Sequence, residues 1–267
     1  MNVERLRKII AYSDKNREEI YSMVRRFCAF ARIEYDSVLL NILQIVRSSF
    51  EKKGFFVFEM PFVDDEIGTL CYRGDGLGYV VVNTSLPRVN VNFAIAHEVY
   101  HVFFGDSEFV SKVEFADDHY YEYEEEYAAN IFASMLLMPE VSFQRMYSKF
   151  KEESYGNEVD TIIKLMSYYQ APYMAVLIRC LELKLIPGNS IPEELFNIDR
   201  SLVRQKLSDL WLDESIMEAS DRDDYFRIEL IVGRLGREYI EDEYINERTL
   251  KKVLQNMRAL YTKIKGD

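Results

Sequence analysis

Phe93-Ala94-Ile95-Ala96-His97-Glu98-Val99-Tyr100-His101 sets two of the chain's three histidines four residues apart, with a glutamate beside the first. On a helix, positions i and i+4 lie one above the other, so both imidazoles can reach one ion. Glu98 is turned by about 100° from His97 and so addresses a water on that ion, not the ion itself. This HExxH spacing predicts the site of a zinc-dependent hydrolase. Phe93, Ala94, Ile95 and Ala96 before it, and Val99, Tyr100, Val102, Phe103 and Phe104 around it, are apolar. A helix apolar nearly all round is a buried helix. Two histidines and a carboxylate inside it need partners, because unpaired buried polar groups are costly. A metal is the simplest common partner.

Outward from this helix, the pattern reads as helices, a few strands, then helices to the end. Ile20, Met23, Val24, Phe27, Cys28 and Ala31 recur at helical spacing. A second helix is expected after Asp36 as N-cap, through Leu39, Leu43, Val46 and Phe50, with Gly54 as its stop. Three β-rich runs follow, Phe55 to Glu59, Gly68 to Tyr72 and Tyr79 to Asn83, with Arg73-Gly74-Asp75-Gly76 as the turn between the last two. Pro87 then interrupts the chain. The HExxH helix is expected to open near Val91 or Asn92 and to stop at Gly105. The order implies an α+β fold: a small three-stranded antiparallel or mixed sheet packed on the HExxH helix, followed by a mostly α-helical C-terminal region.

A catalytic zinc takes three protein ligands and keeps one position open. Glu122, Glu124, Glu125 and Glu126 precede a strongly apolar helix ending at Pro139. Most of these acids read as a solvated cap favoured by the helix dipole. Glu126 differs, because it shares a face with Asn130, Ala133 and Leu137 and so continues into the buried stripe. It is the expected third ligand, and Asn130 could hold a ligating histidine or the carboxylate from behind.

These two segments together, Phe93-Ala-Ile-Ala-His-Glu-Val-Tyr-His101 and Glu126-Tyr-Ala-Ala-Asn-Ile-Phe-Ala-Ser-Met-Leu-Leu-Met-Pro139, resemble the ImmA/IrrE family of zinc metallopeptidases. That family pairs an HExxH helix with a downstream E-x-x-A-N/D-x-F-A-x-x-L-L-M-P helix, and the resemblance covers roughly residues 36 to 186. It implies a zincin-like metallopeptidase core with His97, His101 and Glu126 as zinc ligands and Glu98 as catalytic glutamate. Known members are bacterial and phage proteins that cleave a transcriptional repressor. Many begin with a DNA-binding helix-turn-helix domain, for which residues 1 to 35 here are too few. The implied function is therefore a zinc endopeptidase that cleaves a separate regulatory protein, a DNA-binding repressor. The alternative is a non-catalytic zinc-containing regulator or antitoxin-like protein that acts by binding its partner. An extended substrate is expected to add as a strand beside Tyr79 to Asn83.

Composition agrees with an intracellular enzyme. Hydrophobic residues make up 48% and charged residues 29% of the 267, enough for a substantial core. A net charge of −12 argues against direct binding of nucleic acid or an anionic membrane surface. Cys28, Cys71 and Cys180 are widely spaced in apolar sequence and read as reduced core thiols. No signal peptide opens the chain and no run of 18 apolar residues follows, so the expected location is the cytoplasm.

The leftover His119 reads as a loop histidine, with an auxiliary ligand or oxyanion donor as the sharper reading. Tyr120, Tyr121, Tyr123 and Tyr127 beside it read as packing residues. After Pro139, Asp160 is expected to cap one helix and Pro172 to open the next, a pair resembling a helix-turn-helix. The second of these carries just Arg179 and Lys184 as cations, so it reads as packing on the core. The expected organisation is a zincin-like domain over 1–188 and an α-helical region over 189–267. The first comprises N-terminal helices (1–53), strands with the zinc-site helices (54–145) and the helical pair (146–188). Pro187-Gly188-Asn189-Ser190 with Pro192 is the linker between the two regions. In the second, Leu202, Leu207 and Leu210 lead to Trp211, and Asn246 caps a last helix with a stripe of Leu250, Val253, Leu254, Met257, Leu260, Tyr261 and Ile264.

Overall fold

The computed structural model describes residues 3–74, 77–105, 109–114, 124–187 and 195–266. His119, Glu122, the tip of the turn after Gly74 and most of the expected linker lie outside them. Helix α1 (Val3–Ala31) and helix α2 (Ile42–Lys52) lead into strands β1 (Phe55–Met60), β2 (Ile67–Gly74) and β3 (Leu77–Asn83). Helix α3 (Arg88–Phe104), strand β4 (Phe109–Glu114) and helix α4 (Glu124–Leu137) follow. Helices α5 (Glu140–Glu153), α6 (Glu158–Tyr169), α7 (Tyr173–Glu182), α8 (Arg200–Asp209), α9 (Tyr225–Glu241) and α10 (Glu247–Lys265) complete the chain. Val3 to Ala31 forms one continuous helix, so this segment holds no helix-turn-helix.

The expected α+β architecture is present, and the three expected strands form within one or two residues of their predicted ends. A fourth strand, β4, joins them in the order β1-β3-β2-β4. Its sequence, Phe-Val-Ser-Lys-Val-Glu, is short, and it gains its partner, β2, from across the fold. The sheet is mixed: β1 runs parallel to β3, and β2 runs antiparallel to both β3 and β4. Both edges of β3 are thus taken from Gly78 to Val82. A substrate strand cannot add there, which corrects the expectation from the sequence.

Side chains alternate across the sheet, and this alternation sets up the site. Thr69 and Cys71 of β2, with Val80 and Val82 of β3, are buried on one face, against which α3 packs. On the other face Leu70 and Val81 pack with Met60, Phe62 and Tyr225, joined by Tyr261 and Ile264 of α10. The main core continues through α4, α6 and α7 and takes in Leu195, Val203, Leu207, Ile216 and Met217 from beyond the expected linker. Trp211, by contrast, is almost fully exposed.

Helix ends show where local signals were sufficient. Gly54 follows α2 at φ +82°, a backbone that L side chains rarely adopt. Gly105 ends α3 for a different reason, since a Cβ there would sit 2.6 Å from the carbonyl oxygen of His101. Asn246 caps α10 by accepting from the Thr249 amide, and Pro172 precedes α7, both as expected. Three ends differ. Helix α2 begins at Ile42 behind Asn41, and Asp36 instead accepts from the amide of Ser142, 106 residues away. Helix α6 is capped by Asn157, whose side chain accepts from the Asp160 amide. Helix α3 starts a turn early, at Arg88 directly after Pro87, because proline's fixed φ suits a helix entrance.

Candidate metal centre

Helices α3 and α4 cross with their small and apolar residues in contact, and this brings His97, His101 and Glu126 together. Ala94 and Ala96 of α3 and Ala128, Ala129 and Ala133 of α4 are all buried. Both histidines are almost fully buried, as is Glu98. Glu126 stands in the first turn of α4 with Glu124 and Glu125, where the positive end of the helix dipole favours carboxylates.

The imidazoles are oriented from behind. His97 Nδ1 lies 3.0 Å from Asn130 Oδ1. An amide oxygen only accepts, so Nδ1 carries the hydrogen and the Nε2 lone pair is left for the centre. His101 Nδ1 faces Glu125 Oε1 at 3.4 Å, with the same consequence. Asn130 was expected in this role from its position one turn beyond Glu126, whereas Glu125 had been read as part of the solvated cap.

The front atoms converge. His97 Nε2 and His101 Nε2 are 3.1 Å apart. Glu126 places Oε2 3.2 Å from His97 Nε2 and Oε1 3.4 Å from His101 Nε2. Zinc at about 2.0–2.1 Å from tetrahedral ligands separates those ligands by roughly 3.3 Å. Glu126 Oε2 is also buried without a hydrogen-bond partner among the described residues. Two imidazole lone pairs and a buried carboxylate oxygen aimed at one point call for a shared positive charge. His101 shows the same demand: burial pulls its pKa down, but the Glu125 and Glu126 carboxylates outweigh that and hold it up at about 10. Burial likewise raises Glu126, and the two imidazoles override it and lower it to about 2. The donor set therefore fits a divalent metal ion.

Glu98 is kept out of this cluster by its place on the helix and is held by β2. Thr69 Oγ1 donates to Glu98 Oε1 at 2.7 Å, and the Cys71 thiol also hydrogen-bonds the carboxylate. Burial, followed by the charge of Glu98, pushes the Cys71 thiol far up, so it stays protonated beside the site. Cys28, Cys71 and Cys180 are all free and buried, as the sequence implied. Thr69 was missed in the sequence, and its one signal was alternation in β2, which sets it on the same face as Cys71. A larger cavity, about 510 Å³, lies elsewhere, at the start of α2 and α3, and touches none of the converging groups.

The chain matches the family described as the IrrE N-terminal-like domain, Peptidase_M78, over residues 50–181. This chain carries a Peptidase_M78 domain. The matched segment runs from the end of α2 into α7 and contains both helices of the site, in agreement with the ImmA/IrrE resemblance. A peptidase domain thus coincides with a His/His/Glu group that could hold a metal. A comparison with curated proteins finds no match. Among the described residues, no helix is long and apolar enough to cross a membrane.

Proposed function

We propose that this Peptidase_M78 protein is a zinc-dependent endopeptidase that cleaves one regulatory protein, a DNA-binding transcriptional repressor. The observation that carries the peptidase half is Glu98. It is a fully buried carboxylate that directly follows His97 on the helix, stands outside the converging group of His97, His101 and Glu126, and is clamped by Thr69. A structural ion would need no such base. The repressor half is supported by the family resemblance.

His97, His101 and Glu126 would hold the zinc, with Asn130 and Glu125 fixing the two rings. Bound zinc supplies a Lewis acid that lowers the pKa of water toward about 7 and polarises a peptide carbonyl. Glu98 takes the proton of the attacking water on a carboxylate oxygen and then delivers it to the leaving amine. The Thr69 hydroxyl fixes the carboxylate plane, so that the proton is carried at a set position between water and amine. With both edges of β3 occupied, an extended substrate would have to approach an edge strand, β1 or β4.

The test is to incubate zinc-loaded protein with any DNA-binding repressor encoded beside it, in parallel with Glu98→Gln. Cleavage by the native protein alone is the expected result. Intact repressor in both reactions, held in a stable complex, would replace the peptidase with a binding regulator.

A further inference from the structure

Behind the metal centre, between α1, α3, α4 and α7, lies a second cavity of about 200 Å³. Its walls are largely apolar and include Phe93, Ile131 and Ile178. Asn130, Ser134 and Glu182 also line it, together with Tyr127. Ser134 Oγ and Glu182 Oε1 are both buried, and neither has a hydrogen-bond partner among the described residues. Glu182 itself is 3% exposed.

An incomplete carboxylate in such a place asks for an explanation. Arg179 does not supply it. Its NH1 donates to the other oxygen, Glu182 Oε2, at 3.0 Å, while its Nε is used on the carbonyl of Met138 at 3.2 Å. The guanidinium balances the charge of Glu182 and leaves one acceptor unfilled. A carboxylate oxygen only accepts, and a hydroxyl can turn to accept or donate. The missing group is therefore a hydrogen-bond donor, and an amine on a small apolar body supplies one that can serve both oxygens. A dry cavity of about 150 Å³ takes a benzene-sized molecule, so this one has room for a ring and a short aminomethyl arm.

We infer that this cavity is a small-molecule site, distinct from the peptidase centre, for a compact apolar primary amine whose nitrogen donates to Glu182 and Ser134. Asn130 gives the site a consequence. The residue that lines the cavity is also the one whose Oδ1 orients His97 at 3.0 Å. An occupant that touches the Asn130 amide alters the ring's support, so amine binding and metal binding are coupled. That coupling rests on His97 being a metal ligand; the amine site does not.

Benzylamine is the probe, with ethylbenzene as its isostere lacking a donor. Both are titrated into the full chain by calorimetry and ligand-observed NMR. The expected result is saturable one-to-one binding of benzylamine, at least tenfold tighter than ethylbenzene. Glu182→Gln should weaken benzylamine at least tenfold. Ala175→Leu, which fills the cavity and spares the Arg179–Glu182 pair, should abolish binding, with thermal melts confirming that both variants fold. Equal binding of the two probes, indifference to both substitutions, or a crystal soak in which waters alone bridge Glu182 and Ser134 would overturn the site. Zinc affinity, read by chelator competition, should shift several-fold when benzylamine is bound. An unchanged zinc affinity overturns the coupling and leaves the site standing. A protein that binds no zinc at all defeats the metallopeptidase reading, while the benzylamine isotherm still decides the cavity.

Discussion

Helices α3 and α10 are close in length, 17 and 19 residues, yet α3 buries eleven of its residues and α10 buries none. Helix α3 packs against both the sheet and α4, and from Val91 to Val102 all but Phe93 and Tyr100 are buried. Helix α10 reaches the sheet through Tyr261 and Ile264, which pack with Met60 and Phe62, and through the Ile264 carbonyl, which accepts from Val63. It also packs on α9, where Tyr261 stacks on Tyr225 with ring centroids 3.9 Å apart and Gly236 lets Leu250 approach so closely that a Cβ would overlap its side chain. The difference is one of constraint. In the buried part of α3 polar side chains must find partners inside the protein, so His97, Glu98 and His101 are fixed in position by Asn130, Thr69 and Glu125. In α10 water satisfies the polar atoms and sequence change is cheap.

The comparison breaks first at Glu98. Removing a positioned general base costs about 10²- to 10⁴-fold in rate. Glu98→Gln should show at least that loss in a cleavage time course, with zinc content and melting temperature unchanged. If zinc leaves together with activity, Glu98 belongs to the ligand set and the division of labour within α3 is wrong. The next effect is on stability. Ile95, two residues before His97, is fully buried, and Ile95→Ala should cost about 2–5 kcal/mol in urea denaturation. A cost below about 1 kcal/mol would mean that α3 is not packed to the density of a core helix.

A third effect lies in the support of the rings. Residues that orient a metal-bound histidine typically contribute 10- to 100-fold in affinity. Asn130→Ala should weaken zinc by about that factor in chelator competition, and Asn130→Asp, which keeps an accepting oxygen, should recover most of it. Equal zinc affinity in all three proteins would show that burial alone sets the His97 ring.

The same contrast explains what could be read from the sequence. The HExxH helix, the Glu126 helix, Asn130, the three first strands and the stops at Gly54 and Gly105 are written in local spacing. Periodicity and glycine placement report on neighbours within a turn or two, and these features depend on nothing further. Asp36 reads as a cap by the same local rule, but its carboxylate is claimed by Ser142 from another part of the chain. Thr69 reaches Glu98 across 29 residues, and β4 finds β2 as its partner through a register that no local signal encodes. The central position of β3, which rules out substrate pairing there, is likewise a property of sheet order and not of the strand's own residues. Tertiary pairing, not propensity, decided each of these.

The smallest effect sharpens the other side of the comparison. Leu260 is part of the apolar stripe of α10 and remains 60% exposed, so truncating it removes little that folding buried. Leu260→Ala should change the unfolding free energy by no more than about 0.5 kcal/mol, the range of an ordinary surface substitution. Alanine's higher helix propensity offsets part of even that loss. Tyr261, one position on, is the control, because its ring stacks on Tyr225 and its hydroxyl is paired with Asp223. Tyr261→Ala should cost clearly more than its neighbour, since an aromatic pair is worth about 0.5–1.5 kcal/mol beyond its buried area. The two variants measured side by side in urea ask whether α10 is held by this one seam. If Leu260→Ala costs as much as Tyr261→Ala, the exposed stripe is covered in solution, and the contrast with α3 is one of partner and not of constraint.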